Sequence, residues 1–177
     1  MARSPKKEGV ASDRLVTPTD LGDNETKAVA EAVNGLLADA FALYLKTKNY
    51  HWHISGPNFR DYHEMLDEQS AEILATTDPL AERVRKIGRT TLRSIGHIAR
   101  EANIEDDDRE VVPPRDMLLQ LLADNKAMAQ AMREAHEVCD EAKDVATASL
   151  LEEYIDATEK RIWFLYEATR EAEKTGH

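Results

Sequence analysis

The sequence predicts an all-α fold, in which four long helices pack as a bundle and a short extra helix lies in the connection between the second and third. Three observations predict it. Apolar residues recur at steps of three and four through most of the chain. Gly and Pro collect at a few points between these periodic stretches. Only three Phe and seven Gly in 177 residues suit helices better than sheets.

Residues 1–22 read as a tail, because Pro5, Gly9, Pro18 and Gly22 interrupt a polar stretch with few large apolar groups. Residues 23–177 then form one domain. The first helix starts near Asp23 or Asn24, either of which suits a cap, and ends by Ser55 and Gly56. Its apolar positions Val29, Val33, Leu36, Ala40 and Leu43 make one long buried stripe. The second opens after Gly56 and Pro57 with Asn58 as cap, and Phe59, Tyr62, Leu66, Ile73, Leu80, Val84 and Ile87 mark its core side. Pro79 leaves two courses open for this helix, a bend or a break that restarts at Thr77 or Asp78.

Residues 88–113 form a long connection with a helical piece around Thr91 to Ala99, closing on an acidic run at Glu105 to Asp108 and the pair Pro113 and Pro114. The third helix spans about Pro114 to Glu141, with Met117, Leu121, Met128, Met132 and Ala135 inward. The fourth spans about Asp144 to Lys174, with Leu151, Ile155, Ile162 and Leu165 inward. Four long helices with one long connection between the second and third describe a ferritin-like four-helix bundle.

Composition narrows the function. A composition 42% hydrophobic and 32% charged is ordinary for a soluble helical protein. No uninterrupted apolar run approaches the ~20 residues of a membrane span, and the amino terminus lacks the apolar core of a signal peptide, so the expected compartment is the cytoplasm. The single cysteine, Cys139, excludes an internal disulfide and any Cys-rich metal site, and reads as a small residue on a helix face. A net charge of −11 argues against a broad nucleic-acid surface and suits a protein that attracts cations. Arg3, Lys6 and Lys7 in the tail are the exception, and fit either a solvated start or an arm that touches DNA.

The strongest functional signal is a run of ligand-type side chains: His51 at the end of the first helix, then His63, Asp67, Asp78 and Glu82 along the second. His63 with Asp67, and Asp78 with Glu82, are i,i+4 pairs that share a helix face. Asp67 and Asp78 lie eleven residues apart, roughly 16 Å along the axis. A metal site spans only ~4 to 5 Å between opposite ligand atoms, so one chain does not close it. A second copy running antiparallel across a two-fold axis would bring its Asp78 and Glu82 opposite His63 and Asp67, building two equal sites. Imidazole and carboxylate with open positions suit Fe(II), whereas zinc more often takes a site closed within one chain. Taken singly, His63 fits an interface histidine, Asp67 a solvated acid, Asp78 a helix cap and Glu82 a partner for Arg83 or Arg85. All four on one stripe, with Ala71 and Leu74 between them, read as a subunit contact that holds metal.

Four segments carry a resemblance to a known family: Lys48-Asn49-Tyr50-His51-Trp52-His53, Gly56-Pro57-Asn58-Phe59, His63-Glu64-Met65-Leu66-Asp67-Glu68 and Asp78-Pro79-Leu80-Ala81-Glu82-Arg83. In order and spacing the chain, over residues 24–174, resembles the Dps family, the mini-ferritins or DNA-binding proteins from starved cells. The resemblance implies a hollow twelve-subunit shell that oxidises Fe(II), preferentially with hydrogen peroxide, and stores ferric oxide. It implies that His51, His63 and Asp67 come from one subunit and Asp78 and Glu82 from its partner. Trp52 resembles the family's tryptophan, thought to take part in electron transfer or to intercept radicals, and otherwise reads as a bulky interface residue. His53 stands where many members carry Asn and reads either as a residue just behind the metal ligands or as a packing residue. Imidazole binds metal when neutral, so activity is expected to fall as pH drops through the histidine range. Asp140, Glu141 and Asp144 read either as lining a cation entry pore or as a solvated turn. The alternative from another class is a nucleoid-compacting DNA-binding protein with little or no ferroxidase activity.

Overall fold

The computed structural model describes residues 15–170, so Arg3, Lys6 and Lys7 lie outside the described residues. It contains α1 (Asp23–His53), α2 (Phe59–Lys86), α3 (Ile95–Glu101), α4 (Pro114–Glu141) and α5 (Val145–Thr169), with no strand among the described residues. α1 pairs with α2 and α4 with α5, α1 also packs on α4, and α3 lies against α1. This is the expected four-helix bundle with its extra helix in the long connection.

Helix ends follow local chemistry. Gly22 takes the cap position of α1 without a side-chain bond, so neither Asp23 nor Asn24 caps it. The Thr26 hydroxyl instead donates to the Gly22 and Asp23 carbonyls at 3.0 and 3.1 Å. Asn58 holds the cap position of α2, although its amide turns to the Tyr62 hydroxyl. The short helix starts later than Thr91, at Ile95, because the Ser94 hydroxyl accepts from His97 N–H at 3.1 Å and caps it there. α2 ends on Gly88 at φ +82, where Gly88 N–H bonds Arg85 O and Arg89 N–H bonds Val84 O. A side chain on Gly88 would also meet Thr17 O at 2.8 Å. Pro79 resolves simply: α2 runs unbroken through it. α5 ends at Thr169, short of Lys174, and residues beyond 170 are not among those described.

The core is the one the periodicity marks. Val29, Val33, Leu36, Ala40 and Leu43 of α1 meet Leu66, Ile73, Leu80 and Val84 of α2, with Leu121, Met128, Met132, Leu151 and Leu165 from the other pair. α1 is long and apolar enough to cross a membrane by length and composition, yet half of that stretch is buried as the bundle's core helix. Phe59 stands 45% exposed and leaves the core side of α2 to Leu66 and Ile73. Ile162 is half-buried, and the fully inward place beside it belongs to Arg161. Cys139 is buried, and burial pushes its thiol up to about 12, which fits a packing role.

Asp144 is not a pore acid. It is buried and caps α5, accepting from Thr147 N–H at 3.1 Å and from Arg83 Nη2 at 2.6 Å, so it ties the end of α2 to the α4–α5 turn. Lys143 before it adopts φ +58, the left-handed residue that ends α4.

α1 also staples the long connection. Asn34 bonds Thr90 O and Thr91 Oγ1, Asp39 accepts from the Asn103 and Ile104 amides, and Asn49 donates to Asp107 O. Lys46 donates to Glu105 O at 3.0 Å and pairs with Asp124 at 2.8 Å. The buried Tyr50 hydroxyl donates to Asp107, which also takes two bonds from the Arg109 guanidinium. Arg109, then Tyr50, hold the Asp107 carboxyl well below the usual carboxylate range. The linked stability is therefore present above the ordinary carboxylate value of about 4 and is lost as pH falls through the lowered one. Asp107→Asn is expected to lower the urea midpoint at neutral pH, with the gap to the unaltered protein narrowing as pH falls below about 4. Denaturation curves at several pH values check this, and a gap unchanged in acid would refute the pairing.

Candidate metal centre

The short loop after α1 turns the chain so sharply that the last turn of α1 lies against the first turns of α2. Gly56, at φ +103, makes that turn. His51 and His63 meet there with ring centroids 3.8 Å apart and planes 22° from parallel. Each Nδ1 reaches the other residue's backbone carbonyl, His51 Nδ1 to His63 O at 2.8 Å and His63 Nδ1 to His51 O at 2.9 Å. A carbonyl only accepts, so both Nδ1 atoms carry a proton, which leaves Nε2 as the ring atom that can offer a lone pair. That tautomer is the one a metal-binding imidazole uses.

Asp67 stands one turn beyond His63, its Oδ1 3.9 Å from His51 Nε2. The same carboxylate is held by the Lys48 ammonium from α1. The hydrogen bond from Lys48, then its charge, lowers the Asp67 carboxyl below its ordinary value. Two imidazole nitrogens and an ionised carboxylate fit a divalent cation, with Lys48 a resident cation that a metal would displace from Asp67.

Asp78 and Glu82 do not join this group. Because α2 is continuous, they lie further along the same helix, roughly 16 Å (Asp78) and roughly 22 Å (Glu82) from Asp67 by the helical rise. Asp78 is exposed at the rim of a groove of about 410 Å³ that Phe41, Ala81, Leu92, Ile95 and Ile98 help to line. Glu82 is exposed and pairs with Lys86 at 3.0 Å, not with Arg83 or Arg85. Among the described residues no three His, Cys, Asp or Glu side chains are gathered closely enough to hold a metal alone, His51, His63 and Asp67 included. The chain thus carries two separate groups of ligand-type side chains, His51, His63 and Asp67 at one end of α2 and Asp78 with Glu82 further along it.

Trp52 is 59% exposed and lines a separate cavity of about 530 Å³ with Leu45, Asp106, Arg109 and Glu110. His53 is exposed, its Nδ1 bonded to Asn49 O at 2.8 Å in the last turn of α1. Sequence reasoning missed Lys48. Its spacing three residues before His51 places it on the same helix face, which was the available signal.

Residues 30–175 match the model of the ferritin-like domain. The DNA protection during starvation protein 1 of Deinococcus radiodurans is 34% identical over 157 residues, covering 89% of this chain and 76% of that protein. The crystal structure of an archaeal Dps homologue from Halobacterium salinarum superposes with a TM-score of 0.85 at 26% identity, covering 98% of each chain. That of a Vibrio cholerae Dps protein, described as a member of a broad superfamily of ferritin-like diiron-carboxylate proteins, gives 0.82 at 26% identity over 90% of this chain and 100% of that one. Fold and domain match define a ferritin-like protein. Within that class the chain belongs to the Dps family, the DNA protection during starvation proteins.

Lys48→Met is expected to bring the Asp67 carboxyl up toward its ordinary value. A carbon-detected NMR titration of that carboxyl reads the change, and an unmoved midpoint would mean that Lys48 does not hold it in solution.

Proposed function

We propose that this protein is a ferroxidase and iron-storage protein that oxidises Fe(II) with hydrogen peroxide and keeps the ferric product in a hollow shell of twelve copies, protecting DNA from oxidative damage. One observation carries the reading. His51 and His63 lock each other into the tautomer that offers both Nε2 atoms, with the ionised Asp67 alongside. Asp78 and Glu82 of a second copy would complete each site across a two-fold axis. The exposed Leu74 on α2 and Ile95 on α3 would be covered by the same contact.

Iron is the substrate in this reading. Two Fe(II) ions give one electron each to one hydrogen peroxide, which takes up two protons and leaves as two waters. Neither electron is left to produce hydroxyl radical. The carboxylates favour the product because a trivalent ion gains more from them than a divalent one. The imidazoles hold substrate without adding charge, which leaves positions open for peroxide. Asp67 is freed for iron when Lys48 gives it up. Trp52 is the proposed redox partner that takes part in electron transfer or intercepts stray oxidant, and the cytoplasm is the proposed compartment. The name of the Deinococcus relative, a DNA protection protein, supports the protective role.

Anaerobic Fe(II) loading followed by stoichiometric peroxide tests the proposal through the ferric absorbance. The double variant His63→Ala, Asp67→Ala, assembled as the unaltered protein is, should oxidise iron slower by roughly a hundredfold or more. Equal, slow rates in both would sink the ferroxidase assignment.

A further inference from the structure

A second charged group lies where the metal-binding face does not reach, in the interior between α2, α4 and α5. Arg161 is 3% exposed, an uncommon place for a guanidinium. Its Nε donates to Asn125 Oδ1 of α4 at 3.0 Å and its Nη2 to Thr158 Oγ1 at 2.7 Å. Its Nη1 faces Glu72 Oε2 of α2 at 3.7 Å, too far for a hydrogen bond. The other oxygen of Glu72 reaches outward to Lys160 at 2.9 Å. Two buried acceptors are left without a donor, Glu72 Oε2 and Gln69 Oε1, and Gln69 is itself 5% exposed.

The spacing of these residues is informative. Ferritin-like bundles that hold metal inside one chain use i,i+3 pairs of Glu and His on two helices, with a carboxylate from each of the others, all pointing inward. α2 carries Gln69 and Glu72 at i,i+3, and α5 carries Thr158 and Arg161 at i,i+3. Asn125 comes from α4. The i,i+3 spacing on two helices is thus present here with other side chains. One carboxylate, two amides and a hydroxyl lie on these helices, and the Arg161 guanidinium bonds Asn125 and Thr158 and faces Glu72.

We infer that Arg161 is the resident cation of a latent divalent-cation site formed by Glu72, Gln69, Asn125 and Thr158, and that its guanidinium keeps metal out of the bundle interior. Its positive charge repels a second cation and its Nη1 stands against the one carboxylate a metal would need. The donors left are oxygens only, so the pocket vacated by the guanidinium suits Mn(II) better than a softer ion. In the assembled protein the consequence is that iron is confined to the shared face, so that a lone subunit holds no complete site. That last clause rests on the proposed function. The interior site itself does not.

The test uses the full chain with His63→Ala and Asp67→Ala, which removes the shared site, and reads Mn(II) binding by loss of the free-ion electron paramagnetic resonance signal. Arg161→Ala in this background should bind about one Mn(II) per chain, and adding Glu72→Gln should abolish it. The parent with Arg161 in place should bind none. Arg161→Ala should also lower Tm by roughly 10 °C, with part of the loss restored by Mn(II). Should Arg161→Ala fail to fold, Arg161→Thr, which also removes the charge and leaves most of the guanidinium's space open, is read in the same way. Absence of Mn(II) binding in a folded variant, or equal binding by the parent, would overturn the inference. Neither result depends on iron oxidation, so failure here and failure of the ferroxidase assignment are distinguishable.

Discussion

The whole arrangement rests on the burial of α1. A helix covered on most of its surface has to satisfy its polar groups inside the protein, because an unpaired buried donor or acceptor costs several times what a made hydrogen bond contributes. Asn34, Asp39, Lys46, Asn49 and Tyr50 meet that demand by bonding the connection between α2 and α4. The crossing segment, with little regular structure of its own, is thereby laid along α1 residue by residue. His51, next in the chain, meets the same demand through the backbone of α2.

The candidate half-site at His51, His63 and Asp67 follows from the same burial. Two imidazoles that each bond the other's carbonyl are held by main-chain atoms, which do not change rotamer, so their Nε2 atoms are presented in place before any ion arrives. Lys48 then serves two ends. It keeps Asp67 ionised, and it compensates the carboxylate until a cation takes over. The other half-site depends on α2 passing through Pro79 without a break, since only a continuous helix keeps Asp78 and Glu82 on the stripe of His63 and Asp67.

Two cations thus stand beside carboxylates in contrasting settings. Lys48 is at the surface, on a flexible stem, and bonds one exposed carboxylate. Arg161 is enclosed, and its planar guanidinium is fixed by Asn125 and Thr158. The first is built to yield and the second to stay, which follows from exposure: a solvated ion pair is worth little, whereas breaking a buried one strands a charge.

By itself the sequence determined the four long helices, because their apolar period is a local property that any packing must honour: Val29 to Leu43 and Leu66 to Val84 are buried as their spacing demanded. It also determined that Asp67 and Asp78 cannot serve one ion within a single chain, since their distance along one helix is a matter of residue count. Only the tertiary structure decided which charges are paired. Asp144 looks like a turn acid until Arg83, 61 residues away in the chain, is brought to it. The periodicity put Ile162 inward, yet Arg161 beside it takes the buried place, where Asn125 accepts its bond and Glu72 faces its charge. Lys48 had the right spacing to face His51, yet its bond to Asp67 crosses from one helix to the next. Such pairings depend on where distant segments meet, and periodicity along a single helix carries no record of that.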